Sequence, residues 1–219
     1  MKAFIFDLDG VIVDTAKYHF KSWKIIAGKF GFELSKTQNE LLKGISREES
    51  LDKILNWGGI SIDSLQKKKY MEEKNRIYKK FIDRLSQMDI LPGVSKLIDF
   101  AEIKNIPIAL GSASKNANQI LDKLEIKNKF KVIIDGNLTT KSKPHPEVFL
   151  KGAKMLGINP KKIIVFEDSV AGIEAANKAK MISIAICADR KIKKAKFNFS
   201  SLDDISFDFL KNLSLNGSK

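Results

Sequence analysis

The sequence predicts an α/β fold, a doubly wound parallel sheet carrying an inserted helical cap domain, and three observations predict it. Short apolar runs of strand length recur along the chain without polar alternation, as expected of strands covered on both faces. The later runs are separated by segments of helix length, which is the βαβ rhythm of a parallel sheet. Between the first run and the second lies a long stretch, residues 16–86, whose patterns are almost entirely helical.

In chain order, AFIF (3–6) is the first strand and runs into the polar turn DLDG. KYHFKSWKIIAGKFG, SREESLDKILN and a charged run through FIDRL read as the helices of the insert. Ser46 and Glu49 form an S-x-x-E capping box, so Gly44, Ile45, Ser46 and Arg47 are expected in a loop entering a helix, with backbone N–H groups offered to an anion. DILPGV (89–94) carries the Pro-Gly signal of a turn back into the main domain. IPIALG (106–111), KIIVFE (162–167) and ISIAIC (182–187) are core strands, with FKVIID (130–135) as an additional one. The helices between them are NANQILDKLEI, PEVFLKGAKMLG and VAGIEAANKAK. KFNFSSLDDISF has no clear assignment, and the closing SLNGSK is expected to fray. The expectation is a Rossmann-like core of residues 1–15 and 87–219 with a cap of residues 16–86.

With 219 residues, 43% of them hydrophobic, the chain can bury one α/β core plus a smaller insert. Its N-terminal MKAFIFDLDG interrupts a short apolar run with aspartates, unlike a secretory signal, and no apolar stretch reaches membrane-spanning length. A cytoplasmic protein without a membrane partner is expected. Cys187, the single cysteine, excludes an intrachain disulfide or a cysteine metal cluster and reads as a buried strand residue. A net charge of +13 suits nucleic acid, an acidic surface or small anionic substrates. Its lysine clusters, KKK at 67–69 and KIKKAK at 191–196, lack interleaved aromatics and read as solvated faces.

Ligands of open α/β sheets gather beyond the carboxyl ends of the strands. There the chain places Asp7 and Asp9, Ser112 to Ser114, Lys143 in a loop, and Glu167-Asp168-Ser169. A carboxylate such as Asp7 can attack phosphorus, splitting one transfer into two displacements, and Asp9 can serve as general acid and base. Asp168 with Asp7 and the Asp9 carbonyl can form an oxygen site for Mg²⁺, with Glu167 direct or through water. Ser112 and nearby N–H groups can bind phosphate oxygens, and Lys143 can neutralise charge. Taken singly, each also has a plainer reading: a turn aspartate, a helix N-terminal acid, a capping serine or a solvated lysine.

As a set, DLDGVIVDT, GSAS, KSKP and FEDS resemble the four motifs of the haloacid dehalogenase-like phosphotransferases. DTAKYHF, LKGISREESL, EKN and SASKN resemble the substrate segments of the β-phosphoglucomutase subgroup, over residues 1 to about 190. The resemblance implies interconversion of β-D-glucose 1-phosphate and β-D-glucose 6-phosphate through an aspartyl-phosphate on Asp7 and β-glucose 1,6-bisphosphate. It implies one Mg²⁺ on Asp7, the Asp9 carbonyl, Glu167 and Asp168, a transferring-phosphate site at Ser112, Ala113 and Lys143, and Thr15 as support for Asp9. It further implies a second phosphate site at Arg47, Ser114, Lys115 and Asn116, with Lys43, Gly44, Ile45, His19, Trp23 and Lys74 beside the sugar. Without it, His19 and Trp23, one helical turn apart, read as packing, and Lys43, Arg47 and Lys74 as solvated.

Two alternatives stand beside the mutase. A sugar-phosphate phosphatase would use the same acids and metal but let water attack the phosphoenzyme. A basic nucleic-acid-binding protein would explain the charge but none of the strand-end motifs. The expected partner is a small sugar phosphate, with no nucleic acid, and the expected state is a monomer.

Overall fold

The computed structural model describes residues 2–189 and 191–215, with side chains as far as residue 213 at the C-terminus. The remainder of the closing segment, including residues 216–219 of the stretch expected to fray, lies outside the described residues. The strands are β1 (Ala3–Phe6), β2 (Ile108–Gly111), β3 (Val132–Ile134), β4 (Ile163–Glu167), β5 (Ile182–Ile186) and β6 (Phe197–Phe199). The helices are α1 (Ala16–Gly28), α2 (Lys36–Glu40), α3 (Arg47–Trp57), α4 (Ser64–Ile82), α5 (Val94–Ile103), α6 (Ala117–Lys123), α7 (Glu147–Leu156), α8 (Val170–Lys178) and α9 (Phe207–Leu215).

The described strands form one six-stranded sheet in the order β3-β2-β1-β4-β5-β6, parallel throughout. Every residue of β1, β2 and β4 is buried, which is why these runs carry no polar alternation. Alternate residues serve opposite faces. Phe4, Phe6, Leu110, Ile164 and Phe166 join one cluster, while Ala3, Ile5, Ala109, Ile163 and Val165 join the other with α7 and α8. Phe6 stacks on Phe166 at 4.8 Å, locking β1 to β4.

β6 is the strand that the sequence left unassigned. It is three residues long, half-buried and at the sheet edge, too short for a recognisable pattern. Cys187 departs from expectation: β5 ends at Ile186, and Cys187 is half-buried beyond it, with its N–H on Phe199 and its thiol donating to Asp189.

Residues 16–86 contribute α1 to α4, and α1, α3 and the loops beside them build a separate apolar cluster around Trp23, Ile26, Leu51, Ile54 and Leu55. The far end of α4 behaves differently, since Tyr78 and Ile82 belong to the sheet-side cluster. The segments entering and leaving this helical stretch run side by side: Val13 bridges Ile90, and Leu91 N–H donates to the Ile12 carbonyl. Among the described residues no helix is long and apolar enough to cross a membrane.

Candidate active site

Strand order reverses between β1 and β4, and this switch point is where a parallel sheet opens a crevice beyond its strand ends. Asp7 follows β1, Glu167 closes β4 and Asp168 follows it; Asp7 N–H donates to the Phe166 carbonyl, so the two strand ends are in register. The chain then turns sharply, the Leu8 carbonyl accepting from Val11, Ile12 and Val13. Gly10 has φ of +85°, and a Cβ there would lie 2.3 Å from Asp168 Oδ2, so only glycine lets the two acidic turns meet.

Carboxylate oxygens of Asp7, Glu167 and Asp168 lie within 4.8 Å of one another, all three buried. Lys143 reaches in from its loop to donate to Asp7 Oδ1 at 2.6 Å and to Glu167 Oε1 at 2.7 Å. The other oxygen of Glu167 accepts from the N–H and hydroxyl of Ser169, so each of its carboxylate oxygens already has a partner. Gly172, at the start of α8, leaves the space that carboxylate occupies. The stretch GNLTTK before Lys143 is tied down by Glu147 at the start of α7, whose carboxylate accepts from Thr140 and from Lys141 N–H at 2.7 Å.

On the β2 side, Ser112 is fully buried, its N–H on the Ile134 carbonyl and its hydroxyl accepting from Ser114 N–H. Ser114 in turn accepts from Asn116 N–H, folding Ser112 to Asn116 into a compact loop before α6. Gly136 backs this loop so closely that a Cβ would lie 2.2 Å from the Ala113 carbonyl oxygen.

The helical stretch supplies the opposite wall. Ser46 caps α3 by accepting from Glu49 N–H, but the return bond from the Glu49 side chain is not formed, so only half of the expected capping box exists. Gly44, at φ +76°, rests on Ser169, and Lys43 Nζ lies 3.5 Å from Asp168 and 3.1 Å from Glu40. Arg47 Nη2 donates to Asn75 Oδ1. Lys74, which its residue type alone places in solvent, is 2% exposed, with Nζ 2.7 Å from His19 Nδ1 and over the rings of Trp23 and Tyr78. His19 Nε2 lies 3.6 Å from Asp9 Oδ1, which also accepts from Thr15 Oγ1 and sits 3.5 Å from the Tyr78 hydroxyl.

Between the walls lies a cavity of about 530 Å³. Asp7, Asp9, Lys143, Asp168 and Ala113 to Asn116 line it from the sheet side, and His19, Trp23, Lys43, Gly44, Ile45, Arg47 and Lys74 from the helical side. Of the residues expected at the site, Thr15, Ser112 and Glu167 stand behind this lining. Sequence reasoning named no role for Asn75 or Tyr78; the motif EKN contains the first, and the second lies one turn beyond Lys74 on α4. His145 is exposed beside the start of α7.

The electrostatics separate the acids. Burial pushes the Asp7 carboxyl up to about 7, Lys143 opposing the rise and Glu167 and Asp9 adding to it. Asp168 is raised for the same reasons, burial first and Glu167 second. Burial works against the Lys143 ammonium, yet Asp7 and Glu167 outweigh it and hold the charge. Asp9 moves the other way: burial would raise it, but His19, Thr15 and Lys74 together lower it. Burial and the neighbouring Lys74 lower His19, and burial and Arg47 take Lys74 well below the ordinary lysine range. Three clustered carboxylates facing one lysine fit a divalent cation, which would relieve their repulsion.

Residues 4–186 match the haloacid dehalogenase-like hydrolase family. The chain is 41% identical to the β-phosphoglucomutase of Bacillus subtilis (strain 168) across 96% of its own length and 94% of that protein's. It is 32% identical to a phosphorylated carbohydrates phosphatase of Thermotoga maritima over 82% of each chain. Among solved structures it superposes on β-phosphoglucomutase from Clostridium difficile with a TM-score of 0.94 and 43% identity, covering 99% of this chain and 98% of that one. The acids of the switch point and the lysine between them are thus set in a chain that belongs to the haloacid dehalogenase-like hydrolase family.

Proposed function

We propose that the protein is a β-phosphoglucomutase, an enzyme that interconverts β-D-glucose 1-phosphate and β-D-glucose 6-phosphate through β-glucose 1,6-bisphosphate. One observation carries this reading: basic and polar side chains of the helical stretch line the same cavity as Asp7 and Asp9. A phosphatase needs only water as acceptor, whereas a mutase must grip a sugar whose second phosphate lies away from the nucleophile. The Bacillus subtilis likeness, which runs through the helical stretch, supports the same choice.

In this mechanism a carboxylate oxygen of Asp7 attacks the phosphorus of the bisphosphate in line. The bond from phosphorus to the sugar oxygen breaks, and Asp9 delivers to that departing oxygen the proton it took from a sugar hydroxyl in the other half of the cycle. In the return step the hydroxyl of a sugar monophosphate attacks phospho-Asp7, Asp9 takes the hydroxyl proton, and the bond to Asp7 breaks. Thr15 and His19 aim the Asp9 carboxylate. Lys143 holds the Asp7 carboxylate and, with Ser112 and Ala113, offers donors to the transferring phosphate. Arg47, Ser114, Lys115 and Asn116 bind the other phosphate, with Arg47 as a two-pronged donor. Trp23, Lys43, Gly44, Ile45 and Lys74 border the sugar.

Mg²⁺, one ion per site, would be held by Asp7, the Asp9 carbonyl, Asp168 and Glu167, and supplies charge neutralisation at the transferring phosphate when bound. We read residues 16–86 as a cap domain on a core of 1–15 and 87–219, joined through the paired Val13 and Ile90 segments. Closure of that cap excludes water from phospho-Asp7. The enzyme is read as a cytoplasmic monomer.

The deciding experiment is an assay for glucose 6-phosphate from β-glucose 1-phosphate, primed with bisphosphate, run beside the α anomer with phosphate release followed. Turnover of the β anomer with little free phosphate is expected. Stoichiometric phosphate release without isomerisation would convert the reading to that of a phosphatase.

A further inference from the structure

Asn75 accepts two hydrogen bonds on one atom. Its Oδ1 takes Arg47 Nη2 at 2.8 Å and Asn116 Nδ2 at 3.0 Å. A guanidinium can only donate, so the group that faces it is the carboxamide oxygen, which sets the orientation of the amide. The three residues belong to separate elements: Arg47 begins α3, Asn75 lies within α4, and Asn116 precedes α6. Arg47 and Asn116 line the cavity, whereas Asn75 does not. Asn75 therefore touches the two lining residues without entering the space where a ligand would sit.

That arrangement matters for an arginine. Its long side chain has many rotamers, and ordering it only when a ligand arrives subtracts from the affinity gained. Arg47 has its orienting acceptor already in place, and the same oxygen orients a donor from the opposite wall. The next residue back, Lys74, points inward to His19, so adjacent positions of α4 serve two ends of the site.

We propose that Asn75 is a positioning residue for anion recognition, holding Arg47 and Asn116 so that both meet the non-transferring phosphate of a sugar phosphate. The inference rests on the phosphomutase reading above. It separates recognition from chemistry: Asn75 governs capture of the phosphate, while Asp7 and Asp9 carry out transfer.

The test is a double-mutant cycle on the primed β-glucose 1-phosphate assay with Asn75→Ala, Arg47→Ala and the pair, alongside thermal unfolding. Asn75→Ala is expected to raise KM roughly tenfold, as for one or two lost hydrogen bonds, with kcat changed by less than about threefold. In the Arg47→Ala background the same substitution should add little, because its main client is gone. Asn75→Asp supplies a control of equal shape. It keeps acceptors for both partners, so thermal stability should hold while KM rises, because the new carboxylate competes with phosphate for Arg47. An Asn75→Ala KM within twofold of the parent, a fall confined to kcat, or equal effects with and without Arg47 would each overturn the proposal. A KM unmoved by Arg47→Ala alone would instead overturn the second phosphate site on which it rests. Should Asn75→Ala fail to fold, Asn75→Ser, whose hydroxyl is too short to reach both donors, takes its place in the cycle.

Discussion

Lys143 donates to Asp7 at 2.6 Å in a place where both side chains are almost fully withdrawn from solvent. Removing the lysine leaves three neighbouring carboxylates, those of Asp7, Glu167 and Asp168, without their shared internal cation. Lys143→Ala is therefore expected to lower kcat by about 10²–10³, the scale for losing a positioned donor at developing charge. Steady-state kinetics with saturating Mg²⁺ and bisphosphate checks it; a loss below tenfold would remove Lys143 from the transfer step.

Thr15 gives a milder prediction. Its hydroxyl donates to Asp9 Oδ1 from a fully buried position, and its loss frees the carboxylate to turn. Thr15→Val should reduce kcat by roughly 10–10², less than the roughly 10²–10⁴ of full general acid–base assistance because Asp9 itself remains, while Thr15→Ser retains most activity. Equal activity in the two variants would show that the hydroxyl is not what aims Asp9.

Gly44 meets Ser169 where the walls of the cavity touch. A Cβ at position 44 would fall 2.6 Å from Ser169 Oγ, and φ of +76° is unfavourable for alanine in any case. Gly44→Ala should hold the walls apart and admit water. The expected outcome is a lower rate of isomerisation and a larger share of turnover ending in free phosphate. An unchanged ratio of phosphate release to glucose 6-phosphate formation would separate closure from water exclusion.

Glu147 offers a pH test outside the acidic cluster. Its bonds to Lys151, to Lys141 N–H and to Thr140 lower its carboxyl to about 2. A carboxyl that titrates lower folded than unfolded contributes its full stability above the ordinary glutamate range and loses it as pH falls towards that depressed value. Glu147→Gln is expected to cost about 1–2 kcal/mol near neutrality, the net worth of a few charge-assisted bonds at a partly exposed site. The gap from the parent protein in thermal unfolding should narrow as pH is lowered from 5 to 3, and a constant gap would contradict the assignment.

Metal dependence is accessible both through turnover and without it. Chelation should abolish mutase activity. Mg²⁺ should raise the unfolding temperature, corresponding to about 2.7 kcal/mol when the ion is present at a hundred times its dissociation constant. In Asp168→Asn both effects should weaken together; a full thermal shift in that variant would move the metal away from Asp168.

The sheet was legible because its strands are buried on both faces. AFIF and IIVF have to be apolar throughout, and the helices between them repeat at their own period. The acidic turns were legible for a related reason, since Asp7-Leu8-Asp9-Gly10 and Glu167-Asp168-Ser169 are local sequences at strand ends. β6 and the end of β5 were not, because three edge residues and one half-buried cysteine carry little pattern.

Lys74 shows where local reading stops. By residue type it belongs in solvent, and only the packing of α4 against α1 buries it between His19, Trp23 and Tyr78. Asn75 is a related case, present in the segment EKN with no role of its own and joined by folding to residues 28 positions before it and 41 after. The chain alone dictates which segments become strands and which short motifs stand at their ends, because those choices follow from periodicity and turn chemistry within a few residues. The switch point that joins Asp7 to Asp168, and the approach of Arg47, Asn75 and Asn116 from three elements, arise from strand order and helix docking, which depend on contacts between distant parts of the chain.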